Sequence, residues 1–379
     1  MTTAVEINAK SSARELVERV VERCVRDEVR AMKAYPVTPA TGMVKLDAME
    51  NPYRLPDPLR TELARALTNA ELNRYPDPTA PALKALLREV FSIPAGADIL
   101  IGNGSDEIIA IVTQALAKPG AQLLAPEPSF VMYKINAQWM RMGYEGFTLR
   151  PDFSLDVDAF IATMKKLAPA LVWISYPNNP TGNLYPEADV LRIIEAAPGL
   201  IVIDEAYNVF AQRSFMDRVL DFPNLMVMRT VSKIGLAGIR LGYAAARPEW
   251  IAEFDKIRPP YNVSVLTQVA AETVLRHRGV LDGQAHEILQ ERAELMARLG
   301  DFKNIEVFPS EANFILVRVR DAAKVDAALK SRRILVRNLH GWHPHLANCL
   351  RLTVGTPGEN ALLLSALDSA LDAALNEAL

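Results

Sequence analysis

The chain contains two cysteines, Cys24 and Cys349, in 379 residues. That scarcity excludes a disulfide framework and a cysteine-built zinc site. No eighteen apolar residues run together, so a membrane-spanning helix is not expected. Charge of one sign is not in excess. The formal net charge is −3 and basic residues are spread along the chain, so the footprint of a nucleic-acid-binding protein is missing. Residues 1–10 lack a basic start followed by an apolar core, which argues against a secretory signal and makes the cytoplasm the expected compartment. Repeats and low-complexity stretches are also absent.

What is present is a half-apolar composition with 23% charged residues, ordinary for a globular protein. The length suits one large domain plus a smaller one. Ser12 to Lys33 reads as an amphipathic helix, with Leu16, Val20, Val21, Val25 and Val29 at helical spacing. Tyr35-Pro36, Pro39 and Gly42 break it. From Asp98 the rhythm changes to short apolar runs that end in Gly, Pro or polar clusters, such as Leu171–Ile174, Leu200–Ile203 and Leu225–Met228, with helical patterns between them. Such runs predict a mostly parallel sheet covered by helices on both faces. The fold class is therefore α/β: a three-layer large domain over 47–275, a smaller α+β domain over 276–379, and an N-terminal arm, 1–46, that contributes to the small domain.

In open parallel sheets ligands bind beyond the carboxyl ends of strands, and four unusual clusters follow predicted strands. Gly102-Asn103-Gly104-Ser105-Asp106-Glu107 precedes a helix. Its glycines would let backbone N–H groups at the helix start approach an anion, although a plain strand–helix turn fits equally well. Asn178-Asn179-Pro180-Thr181-Gly182 can offer an amide N–H to a phenolate, or can simply be a turn. Asp204-Glu205-Ala206-Tyr207 places a carboxylate where burial would raise its pKa unless a cation meets it; a ring nitrogen or a structural salt bridge would serve. Thr230-Val231-Ser232-Lys233, with Arg240 beyond a Gly-rich stretch, surrounds a lysine with hydroxyls and positive charge, conditions that favour a nucleophilic amine over an ordinary loop lysine. Singly each cluster is ambiguous. In succession they point to one shared ligand.

These clusters resemble those of fold-type I pyridoxal-phosphate aminotransferases, over Leu46 to Gly358. Lys45–Tyr53, Arg74-Tyr75-Pro76-Asp77, Ala312–Val317 and Leu350–Thr356 are similar to the histidinol-phosphate aminotransferase subgroup. The resemblance implies pyridoxal 5′-phosphate as cofactor, bound as a Schiff base to Lys233, which then moves the proton. It implies Asp204 on the ring nitrogen, Asn179 and Tyr207 on the phenolate oxygen, and Phe130 stacked on the ring where the family more often has tyrosine. The phosphate would be held by the Gly104-Ser105-Asp106 turn, Thr230, Ser232 and Arg240. Arg240 stands seven residues beyond Lys233, one fewer than in the aspartate aminotransferases. Tyr75 matches a tyrosine that reaches the phosphate from a neighbouring subunit, which implies a homodimer with shared active sites. Arg337, Arg351, Tyr35 and Asn179 match substrate-binding positions.

The implied reaction is amino transfer between L-histidinol phosphate and 2-oxoglutarate, giving imidazole acetol phosphate and glutamate, in histidine biosynthesis. A guanidinium fork can hold a phosphate or a carboxylate alike, so one pocket can take both amino donors. Three alternatives keep the same cofactor residues: an aromatic amino acid aminotransferase, a decarboxylase of a phosphorylated amino acid, and a non-catalytic regulator. Regulators of the last kind carry an added helix-turn-helix domain, for which the N-terminal segment is too short. His340, His343 and His345 lie close together without an accompanying carboxylate or cysteine cluster, and read as loop residues, not metal ligands.

Overall fold

The computed structural model describes residues 13–34 and 38–376, and Tyr35 lies outside the described residues. The chain divides between Pro39 and Ala40 into two units. In the first, the single predicted helix is two, Ala13–Cys24 and Asp27–Arg30. Arg26 between them is extended (φ −54°, ψ 138°). Leu16, Val17, Val20 and Val21 are exposed along the first helix.

Among the described residues the second unit holds twelve strands: β1 (Val44–Leu46), β2 (Asp98–Asn103), β3 (Gln122–Glu127), β4 (Gly143–Thr148), β5 (Leu171–Ser175), β6 (Leu200–Asp204), β7 (Leu225–Thr230), β8 (Leu241–Ala246), β9 (Ile305–Val307), β10 (Phe314–Val319), β11 (Ile334–Asn338) and β12 (Cys349–Thr353). Seven form a sheet in the order β2-β8-β7-β6-β5-β3-β4. All its pairings are parallel except those of β8, which is antiparallel to both neighbours. Along the central strands alternate residues enter different cores. Leu171, Trp173, Leu200, Val202, Met226 and Met228 pack on one face, while Val172, Ile174, Ile201, Ile203, Leu225 and Val227 pack on the other. Burial on both faces is why these strands read as unbroken apolar runs.

The edge strand β4 is Gly-Tyr-Glu-Gly-Phe-Thr, only partly buried. Its mixed composition carries no apolar run, which is why the sequence did not announce it.

Two antiparallel pairings decide where the site lies. Because β8 opposes β7 and β2 opposes β8, β2 runs in the same direction as β3, β5, β6 and β7. The carboxyl ends of these strands therefore share one edge of the sheet, and β8 starts from that same edge. Asn103, Ser175, Asp204 and Thr230 end their strands there, and Arg240 stands just before Leu241.

The other sheet has the order β1-β11-β12-β10-β9, antiparallel except for β1 against β11. The N-terminal stretch Val44–Leu46 thus pairs with Ile334–Val336, nearly three hundred residues later. Helices Ala322–Ser331 and Pro357–Asn376 contribute to its core, as does Arg278–Gly300 from Ala285 onward.

Candidate active site

A cavity of about 390 Å³ opens at the shared strand edge, within the range of small-molecule sites. Ten of the residues singled out in the sequence line it: Ser105, Asp106, Phe130, Asn179, Asp204, Tyr207, Thr230, Ser232, Lys233 and Arg240. They come from six separate loops or strand ends.

Lys233 sits in a widened turn, Ser232–Leu236, a geometry often found at functional sites. Its Nζ donates to the Ala48 carbonyl at 3.0 Å and lies 5.8 Å from the Tyr207 ring centre. Burial, with Arg351 and Arg240 nearby and Glu50 and Asp106 opposing them, brings its amine down to about 8. A usable fraction of neutral amine is thus present near neutral pH.

Asp204, at the end of β6, is 4% exposed. Burial pushes its carboxyl up to about 6, even though the Tyr133 hydroxyl and the Ala206 N–H bond its charged form. The tyrosine donates to Oδ2 at 2.6 Å and the Ala206 N–H to Oδ1 at 3.1 Å. Such a carboxylate at a cavity wall is completed by a cationic or N–H-bearing ligand group.

One end of the cavity is built by close backbone approach. Gly104 (φ +82°) precedes the helix Ser105–Leu116, and a Cβ on it would stand 2.5 Å from Arg240 Nη2. A Cβ on Gly242 would fall 2.4 Å from the Ser105 nitrogen. These two glycines let the helix start, with its unpaired N–H groups and positive dipole end, sit against β8 and Arg240. Thr230 Oγ1 and Ser232 Oγ are 2.8 Å apart. Arg240 is half-exposed and 3.3 Å from Asp106.

Asn179 is buried, and its Oδ1 accepts from Arg351 Nη1 at 2.5 Å. With that oxygen engaged, the amide nitrogen is the group left to donate. Phe130 is half-buried and meets the Tyr133 ring edge-on at 5.7 Å.

Four predicted residues stand apart from the cavity wall. Gly104 adjoins Ser105 and Arg240 of the wall. Arg351, on β12, is buried and reaches it through Asn179; its Nη2 also donates to the Asp47 carbonyl at 2.9 Å. Arg337 faces Arg351 across β11 and β12 and stacks on Trp342 at 4.7 Å. Tyr75 is 80% exposed and stacks on Tyr261 at 4.5 Å, and neither tyrosine lines the cavity.

Two features were missed by the sequence reading. One is Tyr133, three residues beyond Phe130, which a helical i, i+3 search from that aromatic would have found. The other is the ribbon 47–51, whose backbone ties the two sheets together. Arg351 and Lys233 bond the carbonyls of Asp47 and Ala48. Thr353 and Asn313 bond the N–H and carbonyl of Met49, and Asn51 Nδ2 donates to the Ile234 carbonyl. The histidine loop serves itself: His340 Nδ1 accepts from the Asn348 N–H and His343 Nδ1 from the His345 N–H.

A part-buried amine of lowered basicity, a buried carboxylate and a helix start thus surround one cavity, an arrangement suited to an enzyme of the pyridoxal-phosphate class. The profile of the family "Aminotransferase class I and II" matches residues 41–367, and the chain belongs to that family. Among its relatives, histidinol-phosphate aminotransferase 1 of Ralstonia nicotianae is 54% identical over 370 residues, covering 96% of this chain and 99% of the relative. Histidinol-phosphate aminotransferase of Chromobacterium violaceum is 56% identical over 347 residues, covering 92% and 98%. The expected resemblance is therefore borne out. The fold is shared with the histidinol-phosphate aminotransferase of Sinorhizobium meliloti, solved in complex with pyridoxal-5′-phosphate, at a TM-score of 0.82 and 23% identity over 92% of this chain and 97% of that one. It is also shared with an L-threonine-O-3-phosphate decarboxylase of Porphyromonas gingivalis, at a TM-score of 0.75 and 23% identity over 87% of this chain and all of that one. Fold alone thus spans two reaction classes.

Proposed function

We propose that this protein is a pyridoxal-phosphate-dependent histidinol-phosphate aminotransferase of histidine biosynthesis. It exchanges an amino group between L-histidinol phosphate and 2-oxoglutarate, giving imidazole acetol phosphate and glutamate. The observation that carries this reading is that Lys233 and Asp204 line one cavity whose Asn179 is bonded to Arg351. Relatives of that name at 54% and 56% identity support the substrate.

The residues fit the cofactor. Asp204, raised by burial, accepts a ring N–H; Lys233 offers an amine; the turn behind Gly104, with Thr230, Ser232 and Arg240, receives the phosphate; Phe130 offers a flat apolar face; Asn179 and Tyr207 take the phenolate oxygen. When bound, the cofactor supplies an electron sink that lets a C–H bond next to nitrogen ionise. Lys233 Nζ takes that proton and returns it at another carbon. Arg351 positions the substrate's acidic group while holding Asn179, so substrate and cofactor contacts share one guanidinium. Arg337, beside it, adds the second fork that a phosphate can use and a carboxylate needs less.

The reading includes a cytoplasmic homodimer in which Tyr75, exposed in its own chain, completes the partner's phosphate site. It also assigns the cofactor residues to 47–275 and the two arginines to 276–379, with 1–46 as an arm. A half-reaction panel is the test. Histidinol phosphate is expected to discharge the cofactor's absorbance far faster than phenylalanine does. Faster reaction with phenylalanine would make the enzyme an aromatic aminotransferase, and carbon dioxide release from a phosphorylated amino acid would make it a decarboxylase.

A further inference from the structure

We infer that Tyr133 is a positioning residue that holds Asp204 ionised and oriented for the cofactor's ring nitrogen; the inference rests on the cofactor assignment above. Tyr133 is fully buried, and its ring lies flat on Trp173 at 4.8 Å and 10°. Phe130 packs edge-on against it. The ring is thereby restrained by one stacked and one edge-on neighbour, and the hydroxyl is delivered to Asp204 Oδ2 at 2.6 Å. A short O–H···O⁻ bond is among the stronger hydrogen bonds available to a carboxylate. The Ala206 N–H takes Oδ1, so both oxygens are fixed and the carboxylate cannot rotate without breaking a bond.

The electrostatics require this donor. The acidic groups near Asp204, which are Asp106 and Glu205, oppose its charge. Tyr207 is the other phenol beside Tyr133. Burial and Asp204 itself hold the Tyr133 phenol well above its ordinary value, so it remains a proton donor throughout the working pH range. Without that donor the carboxyl would keep its proton to higher pH. A neutral carboxylic acid no longer forms an ion pair with a protonated ring nitrogen.

Tyr133→Phe keeps the ring between Trp173 and Phe130 and removes only the hydroxyl. The experiment measures binding of pyridoxal phosphate to the apoprotein by tryptophan fluorescence between pH 5 and 8, for wild type and variant. It repeats the measurement with a 1-deaza analogue, in which carbon replaces the ring nitrogen. Loss of a hydrogen bond to a charged group is expected to weaken pyridoxal phosphate binding about tenfold at neutral pH. The pH below which affinity declines should move upward. Binding of the analogue, which has no ring nitrogen for Asp204 to meet, should not change between the two proteins. Equal losses for both ligands would show a merely structural role, and no loss for either would show no role; each overturns the inference. Failure of wild type to bind pyridoxal phosphate at all would instead overturn the cofactor assignment.

Discussion

Arg337 and Arg351 stand directly opposite each other across the antiparallel pairing of β11 and β12. Directly paired residues project from the same face of a sheet, and like charges so placed oppose each other. An anion that bridges the two guanidinium groups relieves that repulsion. Inorganic phosphate is therefore expected to raise the apoprotein's melting temperature, and to do so less in Arg337→Ala. In catalysis, Arg337→Ala should raise KM for histidinol phosphate about tenfold, the scale of one hydrogen bond to a charged group, with a smaller effect on glutamate. Equal losses for the two amino donors would refute a selective role for Arg337.

Lys233→Ala should abolish covalent retention of the cofactor. Borohydride treatment is expected to fix the cofactor on Lys233 in wild type, located by peptide mass, and to fix none on the variant. Amino transfer should fall by at least about 10²–10⁴-fold, the span of general acid–base contributions. Colour that survives borohydride and dialysis equally in both proteins would remove Lys233 from the mechanism.

Asp204 makes the apoprotein's stability depend on pH in a calculable direction. Its folded pKa, about 6, lies above the ordinary 3.8, so between those values the native state binds more protons than the unfolded one. This group's contribution is fully present below 3.8 and is lost as pH rises through 6. Relative to Asp204→Asn, wild-type apoprotein should gain stability as pH falls from 7 to 5, measured by urea denaturation. Parallel pH profiles for the two proteins would contradict the buried-carboxylate assignment.

Gly104→Ala is expected to reduce cofactor affinity. The positive φ with extended ψ (+82°, 165°) is essentially closed to L-residues and costs about 1–3 kcal/mol, and the new Cβ would stand 2.5 Å from Arg240 Nη2. The guanidinium must then move, taking a phosphate partner with it. Isothermal titration with pyridoxal phosphate should show weaker binding by about tenfold; unchanged affinity would mean that the turn does not hold the phosphate.

Shared active sites can be tested by mixing two inactive partners. Tyr75→Ala and Lys233→Ala place both lesions in the same site of a hybrid dimer, and leave the other site intact, if Tyr75 serves its partner. Dissociation and reassociation of the mixed variants should then restore up to roughly a quarter of wild-type activity, the share of sites left intact in a statistical mixture of two-fold dimers. No recovery, with exchange verified by mass, would place Tyr75 outside the partner's site.

Much of this arrangement was legible in the residues themselves. Leu171–Ile174 and Leu200–Ile203 read as strands because burial on both faces demands continuous apolar side chains. Gly104 and Lys233 stood out because their clusters belong to a succession of four at strand ends, although each cluster alone was ambiguous. The edge strand β4 and the three-residue β1 did not, since neither has enough apolar residues to form a pattern. Local sequence therefore determined which segments are strands and which loops carry reactive groups. Only the tertiary structure decided that β8 reverses, which brings Arg240 to the edge that carries Gly104 and Thr230. It likewise joined Val44–Leu46 to Ile334–Val336 and set Tyr133 against Asp204, 71 residues away in the chain. Those relationships depend on strand order and side-chain packing between distant segments, and no local pattern encodes such distances.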